Sequence, residues 1–176
     1  QTIDDVVSLN PDRLAVYSYA HMPTIMPAQK LLNESEFPSP GEKLNMLTMA
    51  INHLPEFGFR YIGMDHFARE GDELSQALDS GTLQRNFQGY STHAELDMIA
   101  LGMSGISMGS DLYVQNSKNL DDYYSALDAG ELPIRKVLHL SDEDKLRREV
   151  IMSIMCRGNI QFKEFDQRFG FNFKDR

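Results

Sequence analysis

The sequence predicts an α/β protein in which a parallel sheet with crossover helices is followed by a mainly helical end. Three observations indicate this class: a strand–helix–strand succession over residues 13–65, an apolar stretch spaced by glycines over residues 96–116, and a capped helix that begins near residue 141. Because the character of the chain changes after residue 131, we expect one domain over residues 1–131 and the start of a second over residues 132–176.

The composition is that of a globular protein and excludes several classes of partner. The 176 residues are 41% hydrophobic and carry a formal net charge of −9, which disfavours binding to nucleic acid phosphates. No segment is apolar over the roughly 18 residues that a membrane span needs, and no basic and apolar leader opens the sequence. We therefore expect a cytoplasmic protein. The single cysteine, Cys156, lies in an apolar helical stretch and is expected to be a core residue.

The first strand is predicted in the alternating segment from Leu14 to Tyr19, which the proline at Pro23 ends. A short helix is expected around residues 28–32. A longer helix over residues 40–57 has a clear start, because Ser39 and Glu42 form a capping-box pattern. Its apolar face is predicted to consist of Leu44, Leu47, Ile51 and Leu54. Gly58 suits the position just after the helix, and a second strand over residues 59–65 follows.

Acidic, imidazole and guanidinium groups end this second strand in YIGMDHFAR, at Asp65, His66 and Arg69. Such a cluster can be a solvated turn, a metal site or the mouth of a pocket. A strand–helix–strand unit makes a crossover between strands of the same direction, which brings Asp65 and His66 to the same sheet edge as Tyr19–His21. Ligands of parallel α/β folds bind beyond the carboxyl ends of the strands. The pocket is therefore the favoured interpretation.

The remaining elements are predicted from local patterns. We expect helices over residues 70–81 and 119–131, an irregular loop over residues 85–97, and a buried strand where Gly102, Gly105 and Gly109 allow a close approach. Residues 132–140 form an extended connector. The helix from Ser141 is predicted to present Leu146, Val150, Ile151 and Ile154 on one face, and a second short helix follows over residues 163–171.

The candidate site residues are polar groups with aromatic neighbours. None of the five histidines has a recognisable metal spacing, so we predict no protein-only metal site. Arg69 and Arg85 are typical carboxylate-binding residues, although either alone is more often a surface arginine. With them, a polar site with aromatic walls would include His66, Asn86, Gln88 and Tyr90.

Five segments, YAHMPT, PSPGEKL, YIGMDHFAR, RNFQGYST and GISMGSD, occur in an order and at intervals that resemble one family. The chain resembles the oxygen-independent coproporphyrinogen III oxidases, which are radical S-adenosylmethionine enzymes, over essentially its whole length. The resemblance implies part of a six-stranded parallel α/β barrel, followed by the first helices of a helical C-terminal domain. It also implies the conversion of two propionates of coproporphyrinogen III to vinyl groups, which gives protoporphyrinogen IX by a radical mechanism.

The same resemblance implies a 4Fe–4S cluster and two S-adenosylmethionine molecules in the whole enzyme. The family's C-x-x-x-C-x-x-C motif is absent from this sequence, so we expect the chain by itself to bind neither cofactor tightly and to be inactive. Carried over by position, the cofactor residues are Ala20, Phe87, Gln88 and Ile106. The substrate candidates, added from chemistry and position, are His21, Asp65, His66, Arg69, Arg85 and Tyr90.

Two alternatives stay open at this point. A related radical enzyme that acts as a haem chaperone, or another tetrapyrrole-binding protein, would share the barrel. A DNA-binding module could be built from residues 141–173, but the acidic residues of that segment offset its basic ones. For the whole enzyme we expect a monomer. The sequence does not identify its electron donor. Part of a barrel leaves an open sheet edge through which copies of this chain could associate.

Overall fold

The computed structural model describes residues 1–93 and 96–175. The chain divides into two compact units, Gln1–Asp79 and Ser80–Arg176. Helices and strands occur in both, which confirms the α/β class. Among the described residues, no helix combines the length and the apolar character that crossing a membrane requires.

Unit 1 consists of a three-stranded sheet with three helices. Its elements in chain order are α1 (Thr2–Ser8), β1 (Arg13–Ala15), α2 (Pro40–His53), β2 (Phe59–Gly63), β3 (His66–Arg69) and α3 (Glu73–Ser80). Short 3-10 helices lie at Pro27–Leu31, Glu34–Glu36 and Leu54–Phe57, the first of them where a short helix is predicted.

The sheet of unit 1 has the strand order β1–β3–β2, and β3 is antiparallel to both of its neighbours. Therefore β1 and β2 run in the same direction with α2 between them, as predicted. The sequence did not predict β3, which was expected to be a pocket loop, and β1 ends at Ala15 rather than near Tyr19.

Helix α2 begins as predicted. The Ser39 side chain accepts a hydrogen bond from the backbone of Glu42, and the Glu42 carboxylate accepts one from the backbone of Ser39, so the capping box is complete. Gly58 ends the following 3-10 helix in the left-handed region, at φ +76°, where glycine has no steric penalty. The predicted apolar face is wrong at Leu44, which is 64% exposed. One buried apolar cluster of unit 1 consists of Ala50, Leu54, Phe59 and Phe67.

Unit 2 contains two small sheets and three helices. Its elements are β4 (Gln84–Arg85), β5 (Tyr90–Ser91), β6 (Ile106–Met108), β7 (Leu112–Asn116), α4 (Leu120–Asp128), β8 (Ile134–His139), α5 (Asp142–Arg157) and α6 (Phe162–Phe169). A 3-10 helix lies at Phe173–Asp175. Strands β4 and β5 form a hairpin, and the other sheet has the order β6–β7–β8. Neighbouring strands pair antiparallel in all three described sheets, so the expected parallel ladder is not among them.

Strand β8 corrects one expectation. Residues 132–140 were expected to be a connector, but Ile134–His139 pair with β7 as the outer strand of the sheet. This pairing joins residues on both sides of residue 131, where the sequence predicts a domain boundary. All six residues of β8 are exposed, which explains why no alternation of apolar and polar residues marked it as a strand.

The glycine-spaced stretch forms a hairpin rather than one buried strand. Strands β6 and β7 pair from Ile106 with Gln115 to Met108 with Tyr113. The predicted close approach occurs at Gly105, where an added Cβ atom would lie 3.1 Å from the Cβ of Ala100 and 3.2 Å from the carbonyl oxygen of Gly102.

Helix α5 begins at the predicted cap but turns a different face inwards. Ser141 and Asp144 form its capping box. The buried residues are Leu146, Ser153 and Cys156, whereas Ile151 and Ile154 are exposed. The apolar face predicted for this helix is therefore wrong at Ile151 and Ile154, and the prediction of Cys156 as a core residue is confirmed.

Candidate functional site

An aromatic and imidazole cluster lies in unit 1 after β1. The Nε2 atom of His21 is 2.9 Å from a Glu34 carboxylate oxygen, and its ring meets Phe37 edge-on at 4.9 Å between centroids. The ring of Tyr19 also contacts Phe37, at 5.6 Å. The Nδ1 atom of His21 is buried and has no hydrogen-bond partner among the described residues. Ala20 is exposed, and its carbonyl accepts a hydrogen bond from the Gln29 amide.

A mainly apolar pocket of about 450 Å³ adjoins this cluster. Its walls come from the segment after β1, the 3-10 region and α2, and they contain one cation, Lys43. The lining residues are Val16, Tyr17, Ser18, Tyr19, Leu32, Phe37, Pro38, Lys43, Met46 and Leu47. Its size suits a small-molecule ligand.

Asp65 lies in the turn between β2 and β3, and His66 is the first residue of β3. The Nδ1 atom of His66 is 2.7 Å from the Asp65 carboxylate, and the carbonyl of Asp65 accepts a hydrogen bond from the backbone of Val16 at 2.7 Å. The carboxyl ends of β1 and β2 therefore meet at His66, as the crossover predicts. Burial raises the pKa of the Tyr61 hydroxyl beside them, and the charge of Asp65 raises it further.

Arg69 lies at the opposite end of β3, which corrects its predicted place at the pocket mouth. Its guanidinium donates hydrogen bonds to the carbonyls of Pro11 and Phe57 and to the side chain of Asn10. It also stacks over the ring of Phe59, with 4.0 Å between Cζ and the ring centroid. These contacts join three segments of unit 1, so Arg69 has a structural role.

The NFQGY segment forms the turn of the β4–β5 hairpin rather than an irregular loop. The backbone N–H of Asn86 donates to the carbonyl of Gly89 at 2.9 Å, and the Asn86 side-chain oxygen accepts from the backbones of Gln88 and Gly89. Gly89 has φ +144°, which favours glycine. The turn therefore holds the side chains of Phe87 and Gln88 outwards, and both are exposed. The side-chain amide of Gln88 has no hydrogen bond to any described residue.

A groove of about 480 Å³ lies beside this hairpin, and we refer to it as the Phe87 groove. Phe87 meets Tyr113 edge-on at 5.3 Å between ring centroids. Its other lining residues are Arg85, Asn86, Met108, Leu138, Leu140, Asp144, Arg147, Arg148, Ile151, Met152 and Met155. All of these residues belong to unit 2.

Several predicted residues meet at or near the Phe87 groove. The Cζ atom of Arg85 lies 4.8 Å from the ring centroid of Tyr90, and the Tyr90 hydroxyl donates to the carbonyl of Met155 on α5 at 2.8 Å. Ile106 is half-buried on β6, two residues before the groove residue Met108. Gln88 is not among the groove's lining residues.

Sequence reasoning missed two residues that shape the groove. Tyr113 supports Phe87 from β7, and Arg148 binds the carbonyls of Gly109 and Ser110 through its guanidinium, at 3.2 and 2.8 Å. Neither has a local motif. The one signal available was the alternation of β7, which places Tyr113 on one face of the strand.

A 4Fe–4S cluster does not fit the residues of this chain. Such a cluster needs several thiolate ligands, and the sequence contains one cysteine. Cys156 is buried, and that burial raises the pKa of its thiol. In residues 1–93 and 96–175, no three His, Cys, Asp or Glu side chains converge where they could hold a metal ion.

Comparison with known proteins covers nearly the whole chain. It is 47% identical over 174 residues to the oxygen-independent coproporphyrinogen III oxidase of Pseudomonas aeruginosa, and 41% identical over 174 residues to that of Escherichia coli. The chain is a homologue of the oxygen-independent coproporphyrinogen III oxidases. Each alignment covers 99% of this chain and 38% of the relative, so the chain spans well under half the length of these coproporphyrinogen III oxidases.

Comparison of the fold with solved structures leads to the same group of enzymes. The solved structure of coproporphyrinogen III oxidase (HemN) from Escherichia coli, described as a radical SAM enzyme, matches with a TM-score of 0.92 at 42% identity. The match covers 99% of this chain and 40% of the solved chain. No protein-family model matches the sequence.

Proposed function

We propose that the chain is part of an enzyme that oxidatively decarboxylates two propionates of coproporphyrinogen III and gives protoporphyrinogen IX. The observation that carries the proposal is the similarity to enzymes of this name along 99% of the chain, in sequence and in fold. We infer further that the chain contributes to a partial α/β barrel in the whole protein, which works as a monomer in the cytoplasm.

The cofactors of the proposed enzyme are S-adenosylmethionine and a 4Fe–4S cluster, whose ligands would have to come from outside this chain. S-adenosylmethionine supplies the group that removes hydrogen from the substrate. We propose that Ala20, Phe87, Gln88 and Ile106 contact the cofactor. Two observations support this role for the hairpin: Phe87 exposes 57% of its surface, and the Gln88 amide is exposed and can both donate and accept a hydrogen bond.

The substrate carries carboxylates, and cations or hydrogen-bond donors must offset the field of a chain with net charge −9. We propose His21, Asp65, His66, Arg85 and Tyr90 as substrate-site residues. His21 has a buried nitrogen without a partner among the described residues, and Asp65 fixes the orientation of the His66 ring at 2.7 Å. Arg69 no longer belongs to this set, because its guanidinium binds carbonyls of its own unit.

We infer that the chain does not bind nucleic acid. The cations of α5 are engaged within the protein: Arg147 pairs with Glu143, Lys145 lies 3.9 Å from Asp142, and Arg148 binds backbone carbonyls. Nucleic acid binding depends on a cluster of free cations on one face. The haem-chaperone alternative has no observation in its favour.

A segment-exchange experiment tests the proposal. The matching segment of the Escherichia coli enzyme would be replaced by this chain, and the chimera would be assayed without oxygen for protoporphyrinogen IX formed from coproporphyrinogen III. We expect activity within about tenfold of the parent, because the fold matches throughout. A chimera that carries its cluster and binds S-adenosylmethionine, but forms no product, would contradict the proposal. Tight binding of haem by that inactive chimera would favour the chaperone.

A further inference from the structure

Arg85 differs from Arg147 and Arg148, which also line the Phe87 groove, and from Arg168. Its Nη1 atom is buried and has no hydrogen-bond partner among the described residues. In contrast, Arg147 binds the Glu143 carboxylate at 3.2 Å, Arg148 binds two carbonyls, and Arg168 binds the Glu149 carboxylate at 2.9 Å. Arg85 is therefore a cation partly withdrawn from water without a compensating acceptor.

Such an arrangement lowers the stability of the folded chain. When a guanidinium N–H loses its bound water on folding and gains no other acceptor, the free-energy cost of its desolvation is not offset. Stacking of Arg85 on Tyr90 at 4.8 Å offsets this in part, but an aromatic face does not accept hydrogen bonds in the plane of the guanidinium fork. A ligand in the Phe87 groove, which Arg85 lines, could supply an anion or a carbonyl as the missing acceptor if the guanidinium turns towards the groove, because Nη1 itself is buried.

The surroundings of Arg85 define what that ligand looks like. Phe87, Tyr113, Leu138 and Met152 make the groove largely apolar, and its volume is about 480 Å³. This size suits a flat apolar body of one or two rings. A molecule that fits both features has an apolar ring system and a carboxylate on a short arm.

We propose that Arg85 binds a propionate carboxylate of the tetrapyrrole substrate, while the pyrrole ring that bears it lies in the Phe87 groove. The inference rests on the proposed function for the identity of the substrate and for Arg85 as a substrate-site residue, and it adds the substrate group that Arg85 binds and the groove that holds the ring. Arg85 is a binding residue here, since its fork geometry matches a carboxylate. S-adenosylmethionine also carries a carboxylate, so an experiment must separate the two sources.

The test uses the 176-residue chain and three probes. Coproporphyrin III is the stable oxidised form of the substrate, a porphyrin with alkyl groups in place of all carboxylates is its control, and S-adenosylmethionine is the third. Binding is followed by porphyrin absorbance and fluorescence, and by calorimetry for S-adenosylmethionine. The variants are Arg85→Gln, Arg85→Lys and, as a matched control, Arg135→Gln on the exposed face of β8.

We expect Arg85→Gln to weaken coproporphyrin III binding about tenfold or more, since a hydrogen bond to a charged group is lost. Arg85→Lys should lie between this variant and the wild type, because a point charge replaces the fork. Binding of the alkyl porphyrin should not change in either variant, and the Arg135→Gln chain should bind coproporphyrin III within about twofold of the wild type.

A stability measurement separates binding from structure. If the Nη1 atom awaits a ligand, Arg85→Gln melts at the wild-type temperature or above it. A clearly lower melting temperature, unchanged coproporphyrin III affinity, or a loss confined to S-adenosylmethionine would each overturn the proposal. If the chimera is active but the Arg85 variants fail these tests, only the proposed binding of a propionate in the Phe87 groove is refuted. If the chimera is inactive, the proposed function is refuted, and the measured effect of Arg85 on coproporphyrin III binding remains valid.

Discussion

Replacing Arg69 by methionine tests whether the guanidinium that ends β3 is structural. The change keeps much of the apolar stem but removes donors to the carbonyls of Pro11 and Phe57 and to Asn10. Hydrogen bonds to charged groups contribute about 1.5–3 kcal/mol each, and stacking on Phe59 adds about 0.5–2 kcal/mol. Freedom regained by the side chain offsets up to about 2 kcal/mol. The lower end of these contributions gives an expected loss of at least about 3 kcal/mol in the free energy of unfolding.

Urea and thermal unfolding followed by far-ultraviolet circular dichroism measure this loss, because the chain contains no tryptophan. A change of 3 kcal/mol corresponds to a fall of about 6–12 °C in melting temperature for a domain of this size. Arg60→Met is the matched control: its guanidinium pairs with the largely exposed Asp79 carboxylate, and such pairs contribute about 1 kcal/mol or less. If Arg69→Met unfolds within about 0.5 kcal/mol of the wild type, the structural role is wrong.

The remaining predictions concern the hairpin turn, a tight glycine and a titrating contact. In the segment-exchange enzyme, Gln88→Ala should leave the iron content unchanged and lower product formation about tenfold or more; full activity would make Gln88 a mere turn residue. Gly105→Ala should cost about 1–3 kcal/mol in urea unfolding, because its Cβ would lie 3.1 Å from the Cβ of Ala100. Gly41→Ala, which lies in α2 with nothing within 4 Å, should instead stabilise the chain by about 0.4–1 kcal/mol. The hydrogen bond to Asp4, more than that to Glu56, raises the pKa of His53 above 6.5. This stabilisation is complete below the unfolded pKa and is lost as pH rises through the raised value. The melting temperature should therefore fall as the pH rises from below the unfolded pKa to above the raised one, and by less in His53→Gln; an equal fall would contradict it.

Signals confined to a few neighbouring residues were predicted well from the sequence. The caps at Ser39 and Ser141 each need one partner three residues away, and both capping boxes form. The left-handed glycine at Gly58 is equally local. These features depend on residues within one helical turn, so their prediction does not require knowledge of contacts with distant parts of the chain.

Pairing between distant segments could not be predicted in the same way. Strand β3 has four residues and becomes a strand because β1 and β2 both bind it, and β8 is exposed throughout and has no alternation. The inward face of α5 includes Ser153, which packing rather than hydrophobicity selects.

The two site arginines illustrate the same limit for function. Arg69 and Arg85 look alike in the sequence, but Arg69 finds the carbonyl of Pro11, 58 residues away, whereas Arg85 has a buried Nη1 atom without a partner. Residue type indicated a carboxylate site at both positions. Only the three-dimensional structure distinguishes an arginine that binds backbone carbonyls of its own unit from one whose guanidinium has a nitrogen without an acceptor.

The central position of β3 has a consequence for the dynamics of unit 1. Both edge strands are hydrogen-bonded to it, and its residues Phe67 and Ala68 are buried. Backbone amides in such a strand exchange their hydrogens with solvent only when the whole unit opens, whereas amides of an exposed edge exchange through local fraying. The amides of the four residues of β3 are therefore expected to exchange their hydrogens most slowly in unit 1. His66 is the first of these four residues. Because its backbone belongs to the central strand, we expect motion of the His66 imidazole to come mainly from rotation of its own side chain.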